Sequence, residues 1–153
     1  MDLKAIYQGV IDGKAKDVEK GVQELLDAGV PAEKILKESL IAGMAEVGAR
    51  FERNEYFVPE MLIAARAMQY GMNKLKPILA SKGVKPLAKV AIGTVKGDLH
   101  DIGKNLVAMM VEGAGFEVMD MGVDASPDKF VTAVKNGAQV VAMSALLTTT
   151  MPG

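Results

Sequence analysis

The chain has 153 residues, with 18 basic side chains against 19 acidic ones, a single histidine and no cysteine. That length suits one ordinary domain or two small ones, the 50% hydrophobic content supplies a core, and a net charge of −1 argues against a generic nucleic-acid surface. Without cysteine there is no disulfide scaffold, thiolate zinc site, iron–sulfur cluster or cysteine nucleophile, and one histidine cannot build a two- or three-histidine metal site.

The opening Met1 to Lys14 has neither a basic n-region nor a continuous apolar h-region, and no apolar run reaches the ~18 residues of a membrane helix. The reading is a cytoplasmic protein with no membrane attachment. Up to about residue 80 the apolar spacing is helical. Leu3, Ile6 and Val10 make one short stripe, Val18, Val22 and Leu25 a second, and Leu36, Leu40, Met44, Val47 and Phe51 a third. Met61, Ala65, Met68, Met72, Leu75 and Leu79 follow at alternating intervals of four and three and share one helix face. Gly13 and Gly29 fall where helices stop, and Pro31 and Pro59 where a first turn tolerates a missing N–H. Short connections favour antiparallel neighbours, so residues 1–80 are expected to form a four-helix bundle.

The polar stretch 81–87, with Gly83 and Pro86, breaks the rhythm and reads as a linker. Beyond it, short apolar runs at 88–93, 116–120 and 139–144 alternate with helical segments at about 102–113 and 127–136. That alternation predicts parallel βαβ units in a Rossmann-like (flavodoxin-like) α/β domain over 88–153. Right-handed crossovers give the strand order 2-1-3, and continuous apolar runs suit strands covered on both faces. Three strands make a small open sheet, so the domain is expected to be truncated after the third.

Ligands of such sheets bind beyond the carboxyl ends of the strands. The loop Gly93 to Asn105 packs three glycines, two aspartates and the only histidine between a strand and a helix. Asp98 precedes His100 by two residues, and a carboxylate hydrogen-bonded to an imidazole fixes the tautomer of a metal-binding ring. On spacing alone the same residues also read as a helix start, with Asp98 or Asp101 as N-cap and His100 solvated. Neither G-x-x-x-x-G-K-[ST] nor G-x-G-x-x-G is present, which argues against a nucleotide site. The loop Met143 to Thr150 adds Ser144 and three consecutive threonines, hydroxyls that serve equally well as helix caps.

The run Asp98-Leu99-His100-Asp101-Ile102-Gly103 matches the D-x-H-x-x-G signature of cobalamin-binding domains, and Ser144-Ala145-Leu146 matches their S-x-L motif. Arg50 to Met68 resembles the cap helices of the methionine-synthase cobalamin module and of the small corrinoid proteins of methylamine, methanol and betaine methyltransferase systems. The resemblance spans nearly the whole chain, with both domains in order. It implies a bound cobalamin or related corrinoid with its dimethylbenzimidazole displaced and His100 as the lower axial ligand of cobalt. It further implies that Asp98 holds His100 and that Ser144 holds Asp98. Gly103, with Asp101 and Ile102, would open the helix beside the nucleotide tail, and Leu146 to Thr148 would line the tail pocket. Phe51, Val58 and Met61 correspond to the apolar cap over the cobalt-bound methyl group, although by spacing alone they are also ordinary bundle core.

The function so implied is that of a methyl carrier, the corrinoid subunit of a methyltransferase system in one-carbon metabolism. It would take a methyl group from a substrate-specific methyltransferase and give it to a second methyltransferase acting on tetrahydrofolate or coenzyme M. A reductive activation protein is the third implied partner, with no nucleic acid and no membrane. No nucleophile or general base for substrate activation stands out, so partner enzymes complete the catalysis. The alternative is a cobalamin-binding sensor or regulatory module, a role in which the same domains usually accompany a DNA-binding or signalling domain. Family members continue past the third strand with two more strand–helix units that wall the tail pocket, and cofactor binding is expected to be weaker without them.

Overall fold

The first helix, α1 (Leu3–Ile11), starts on Asp2, whose carboxylate accepts the Ala5 N–H at 2.8 Å. It and α2 (Ala15–Asp27) both stop at glycines in the left-handed region, Gly13 at φ +70° and Gly29 at φ +81°. Next come α3 (Ala32–Ile35), a π-helical segment (Leu36–Ile41) and α4 (Ala42–Glu52), which run on without a break. With α5 (Val58–Ser81) they make the four expected helices, the third of them carrying the π segment directly after its first turn. There the buried Ser39 hydroxyl donates back to the Ile35 carbonyl, a bond that competes with the regular helical ladder.

These features belong to a computed structural model that describes residues 1–81, 83 and 85–152. Within it the chain divides into two compact units, Met1–Lys85 and Pro86–Gly153. Lys82 and Val84 of the expected linker lie outside the described residues.

In the first unit Ile6, Val10, Val18, Val22, Ile35, Leu40, Val47 and Leu75 are fully buried. The buried face of α5 runs through Met61, Ala64, Ala67, Met68, Gly71, Leu75 and Leu79, whereas Ala65 and Met72 sit half-buried at its margin. Small residues let the helices approach closely. A Cβ at Gly71 would come within 2.9 Å of Leu40 Cδ2 and 3.1 Å of Val18 Cγ1.

The second unit contains β1 (Lys89–Thr94), α6 (Ile102–Gly113), β2 (Glu117–Asp120), α7 (Pro127–Lys135) and β3 (Val140–Ser144). The strands are parallel in the order β2-β1-β3, with Val90 opposite Val118 on one side and Val140 on the other. The expectation that all three strands are covered on both faces fails for the outer two. β1 is buried, but Val140 and Met143 of β3 are 47% and 67% exposed, and β2 is only partly buried. Among the described residues no helix is long and apolar enough to cross a membrane.

Candidate functional site

The loop after β1 is held at both ends before it reaches α6. Thr94, fully buried at the end of β1, donates its hydroxyl to the His100 carbonyl at 2.8 Å. The Asp98 N–H closes a turn onto the Val95 carbonyl at 3.1 Å, through Gly97 at φ +82°. This path drives the Asp98 side chain to 0% exposure while the His100 ring stays 52% exposed.

Four donors converge on the buried carboxylate. Asp98 Oδ1 accepts the His100 N–H at 2.9 Å and faces His100 Nδ1 at 2.7 Å, while Oδ2 accepts the Leu146 N–H at 2.9 Å and the Thr150 hydroxyl at 2.8 Å. The backbone N–H groups of His100 and Leu146 lead in holding the Asp98 carboxyl well below the usual carboxylate range, and with the two side-chain donors they outweigh the upward push of burial. An ionised carboxylate only accepts, so Nδ1 of His100 carries the ring proton and donates it. In a neutral ring that arrangement leaves the Nε2 lone pair for a ligand.

Four apolar side chains of the two loops are exposed to solvent. Leu99 is 71% exposed, Ile102 86%, Leu146 63% and Leu147 43%, flanking His100 in the sequence and across the adjoining loop. A Cβ built on Gly103, in the first turn of α6, would meet no atom of the described residues within 4 Å. Among the described residues there is no group of three or more His, Cys, Asp or Glu placed to hold a metal ion.

One expected contact is replaced. Ser144 is not the partner of Asp98: it is the last residue of β3, and its carbonyl accepts the Val95 N–H at 3.0 Å. The chain has to leave the strand and turn before a hydroxyl can point back, and Thr150 is the residue that does so. Its hydroxyl lies 2.8 Å from Asp98 Oδ2 and 3.0 Å from the Leu147 carbonyl, and the charged acceptor takes the single proton more strongly. The run of threonines was the signal, but nothing in the sequence chose among them. Thr148 is exposed. Asp101 stands at the N-cap position of α6 without making a side-chain cap bond, and accepts from Asn105 Nδ2 at 3.2 Å instead.

The three cap candidates divide. Phe51 and Val58 are each 42% exposed and belong to an apolar surface with Phe57, Leu62 and Ile63 at the corner between α4 and α5. Met61, 4% exposed, is instead core of the helical unit, because α5 presents it on the same face as Ala64 and Met68. Tyr56 braces the corner: its hydroxyl donates to the Ile11 carbonyl at 3.2 Å and accepts from Arg50 Nη1 at 3.2 Å.

Two family models match the chain, both described as a B12 binding domain, over residues 2–76 and 88–153. The chain is 40% identical over 152 residues to dimethylamine corrinoid protein 3 of Methanosarcina acetivorans, covering 99% of this chain and 71% of that protein. It is 42% identical over 147 residues to the trimethylamine corrinoid protein of Methanosarcina barkeri, covering 94% of this chain and 68% of that one. Among solved structures it is similar to the methanol:cobalamin methyltransferase complex MtaBC from Methanosarcina barkeri, with a TM-score of 0.89 and 29% identity, over 97% of this chain and 58% of that chain.

Proposed function

The chain belongs to the family of corrinoid proteins built from B12-binding domains, and from that membership we propose that it is a methyl carrier serving a pair of methyltransferases. One partner would be specific for a methylated substrate, and the other would pass the methyl group to tetrahydrofolate or coenzyme M. The names of the relatives, dimethylamine and trimethylamine corrinoid proteins, support a methylamine as donor, and the methanol:cobalamin methyltransferase complex supports a methyltransferase as direct partner. A reductive activation protein completes the proposed set.

The observation that carries this reading is the arrangement of Asp98 and His100: a buried carboxylate engages Nδ1 of a ring that is half exposed, in loops that also expose Leu99, Ile102 and Leu146. A corrinoid bound there supplies cobalt as the methyl-carrying centre. His100 would be its lower axial ligand, oriented by Asp98, which in turn is held by Leu146 and Thr150. The bare first turn of α6 at Gly103 and the Leu146–Thr148 segment would flank the nucleotide tail. Phe51 and Val58, with Phe57 and Leu62, would shield the methyl group from water. In this proposal residues 1–80 are the cap domain and 88–153 the cofactor domain.

Because His100 is the only histidine, labelling the protein with [15N]histidine labels one ring. In the loaded Co(II) protein the axial nitrogen coupling seen by electron paramagnetic resonance should change from the 14N to the 15N pattern, and His100→Ala should abolish it. A 14N pattern that persists in the labelled protein removes His100 as the ligand. Radiolabelled methyl transferred to coenzyme M only when both methyltransferases are added would establish the carrier role.

A further inference from the structure

We infer that Asp124, in the turn between β2 and α7, is a positioning residue that sets where Asp98, and through it the His100 ring, stands before a corrinoid arrives. The inference rests on the reading of His100 as a cobalt ligand.

Asp124 grips the ligand loop at two points. Its Oδ1 accepts the Gly97 N–H at 2.7 Å across 27 positions of sequence, and its own N–H donates to the Asp98 carbonyl at 3.0 Å. Gly97, at φ +82°, is the hinge immediately before Asp98, and without a side chain it has no means of its own to hold one conformation. The clamp supplies that restraint from outside the loop.

The clamp has a firm base. Ala125, the next residue, is 1% exposed, donates its N–H to the Thr94 carbonyl at 2.9 Å and pairs with Val95 in a parallel bridge. At the other end of the turn Asp120 Oδ1 accepts both the Gly122 N–H at 2.9 Å and the Lys104 ammonium at 2.6 Å, which ties the turn to α6. The segment 120–125 is thus fastened to β1 on one side and to α6 on the other, the two elements that bracket His100.

The backbone at Asp124 supports a role for the side chain itself. Its φ is +49°, a left-handed conformation that costs a non-glycine residue free energy, although aspartate and asparagine bear it better than most. Gly122, two residues earlier, solves the same problem with a glycine at φ +77°. A glycine at 124 would satisfy the backbone but leave the Gly97 N–H without its acceptor. Since Asp124 is itself exposed, removing its carboxylate opens no cavity and leaves the core of the α/β unit intact.

The test uses Asp124→Gly, which keeps the left-handed backbone and the bond to the Asp98 carbonyl, and Asp124→Asn, which keeps a side-chain oxygen for Gly97. Each is loaded with cob(II)inamide, a corrinoid with no base of its own, so axial nitrogen coupling can come only from the protein. In Asp124→Gly the ratio of His-coupled to uncoupled cobalt should fall about tenfold, the scale of outer-partner losses at metal sites. The melting temperature should stay within a few degrees of wild type, and Asp124→Asn should recover most of the coupling. An unchanged ratio in Asp124→Gly, a loss of coupling matched by general unfolding, or no recovery in Asp124→Asn overturns the inference. If the wild type itself shows no coupling, the ligand reading of His100 fails, and Asp124 is judged on the cofactor-free protein. There the 15N signal of the His100 ring should show a smaller fraction with the proton on Nδ1 in Asp124→Gly, and an unchanged fraction refutes the clamp.

Discussion

Asp98 is charged and fully buried, and among the described residues it is held by four hydrogen-bond donors and by no Lys or Arg. Its carboxyl is held below the usual range in the folded protein, so its contribution to stability is complete above the unfolded value of about 4 and is lost as pH falls through the depressed folded value. Asp98→Asn should therefore flatten the acid limb: between pH 5 and 2.5 the urea midpoint of the variant should fall less than that of wild type. Parallel midpoints would mean that Asp98 does not carry the acid sensitivity. The outer hydroxyl gives a second comparison. Thr150→Val removes the donor to Oδ2 and should weaken hydroxocobalamin binding about tenfold, whereas Ser144→Ala, whose hydroxyl does not reach Asp98, should stay within about twofold. Titration followed by absorbance decides, and the reverse order would restore Ser144 to the site.

At the level of elements, α6 is tied to the end of β2 by an ion pair with unequal burial. The Lys104 side chain is 2% exposed and that of Asp120 is 51% exposed. Asp120→Ala strands a buried ammonium and should cost about 3 kcal/mol in urea denaturation. Lys104→Met leaves a half-solvated carboxylate and a well-filled core, and should cost about 1 kcal/mol. Equal losses would show that the lysine finds another partner. The helical corner behaves differently, because Phe51 and Val58 are partly exposed whereas Met61 is not. Phe51→Ala or Val58→Ala should each cost less than about 1 kcal/mol yet speed photolysis of bound methylcobalamin. Met61→Ala should cost about 2–4 kcal/mol by opening a cavity in the helical unit. Photolysis rates unchanged in both surface variants would return Phe51 and Val58 to a purely structural role.

Across the whole molecule, the loops proposed to hold the corrinoid lie in the second of two compact units, and each unit has its own buried residues. A ligand that binds only the folded form stabilises it by mass action, about 2.7 kcal/mol at a hundredfold excess over the dissociation constant. Loading with hydroxocobalamin should therefore slow hydrogen exchange in the loops 95–105 and 144–151, with α1 and α2 keeping their original protection. Protection spread evenly over α1 and α2 as well would mean that loading restructures the helical bundle itself.

Much of this protein follows from its sequence alone, for a local reason. Helix and strand periods, terminal glycines and the alternation after residue 88 depend on neighbours a few residues apart, so the element order and the 2-1-3 sheet were legible. The Asp98–His100 contact was legible too, since it spans two residues. The tertiary structure decided what depends on distant segments meeting. It selected Thr150 over Ser144 because only the chain beyond β3 turns back to Asp98, 52 positions away. It turned Met61 inward because α5 faces the other helices with small residues beside it. Asp124 carries no local signal: its acceptor role exists only because parallel pairing sets the turn after β2 beside the loop after β1.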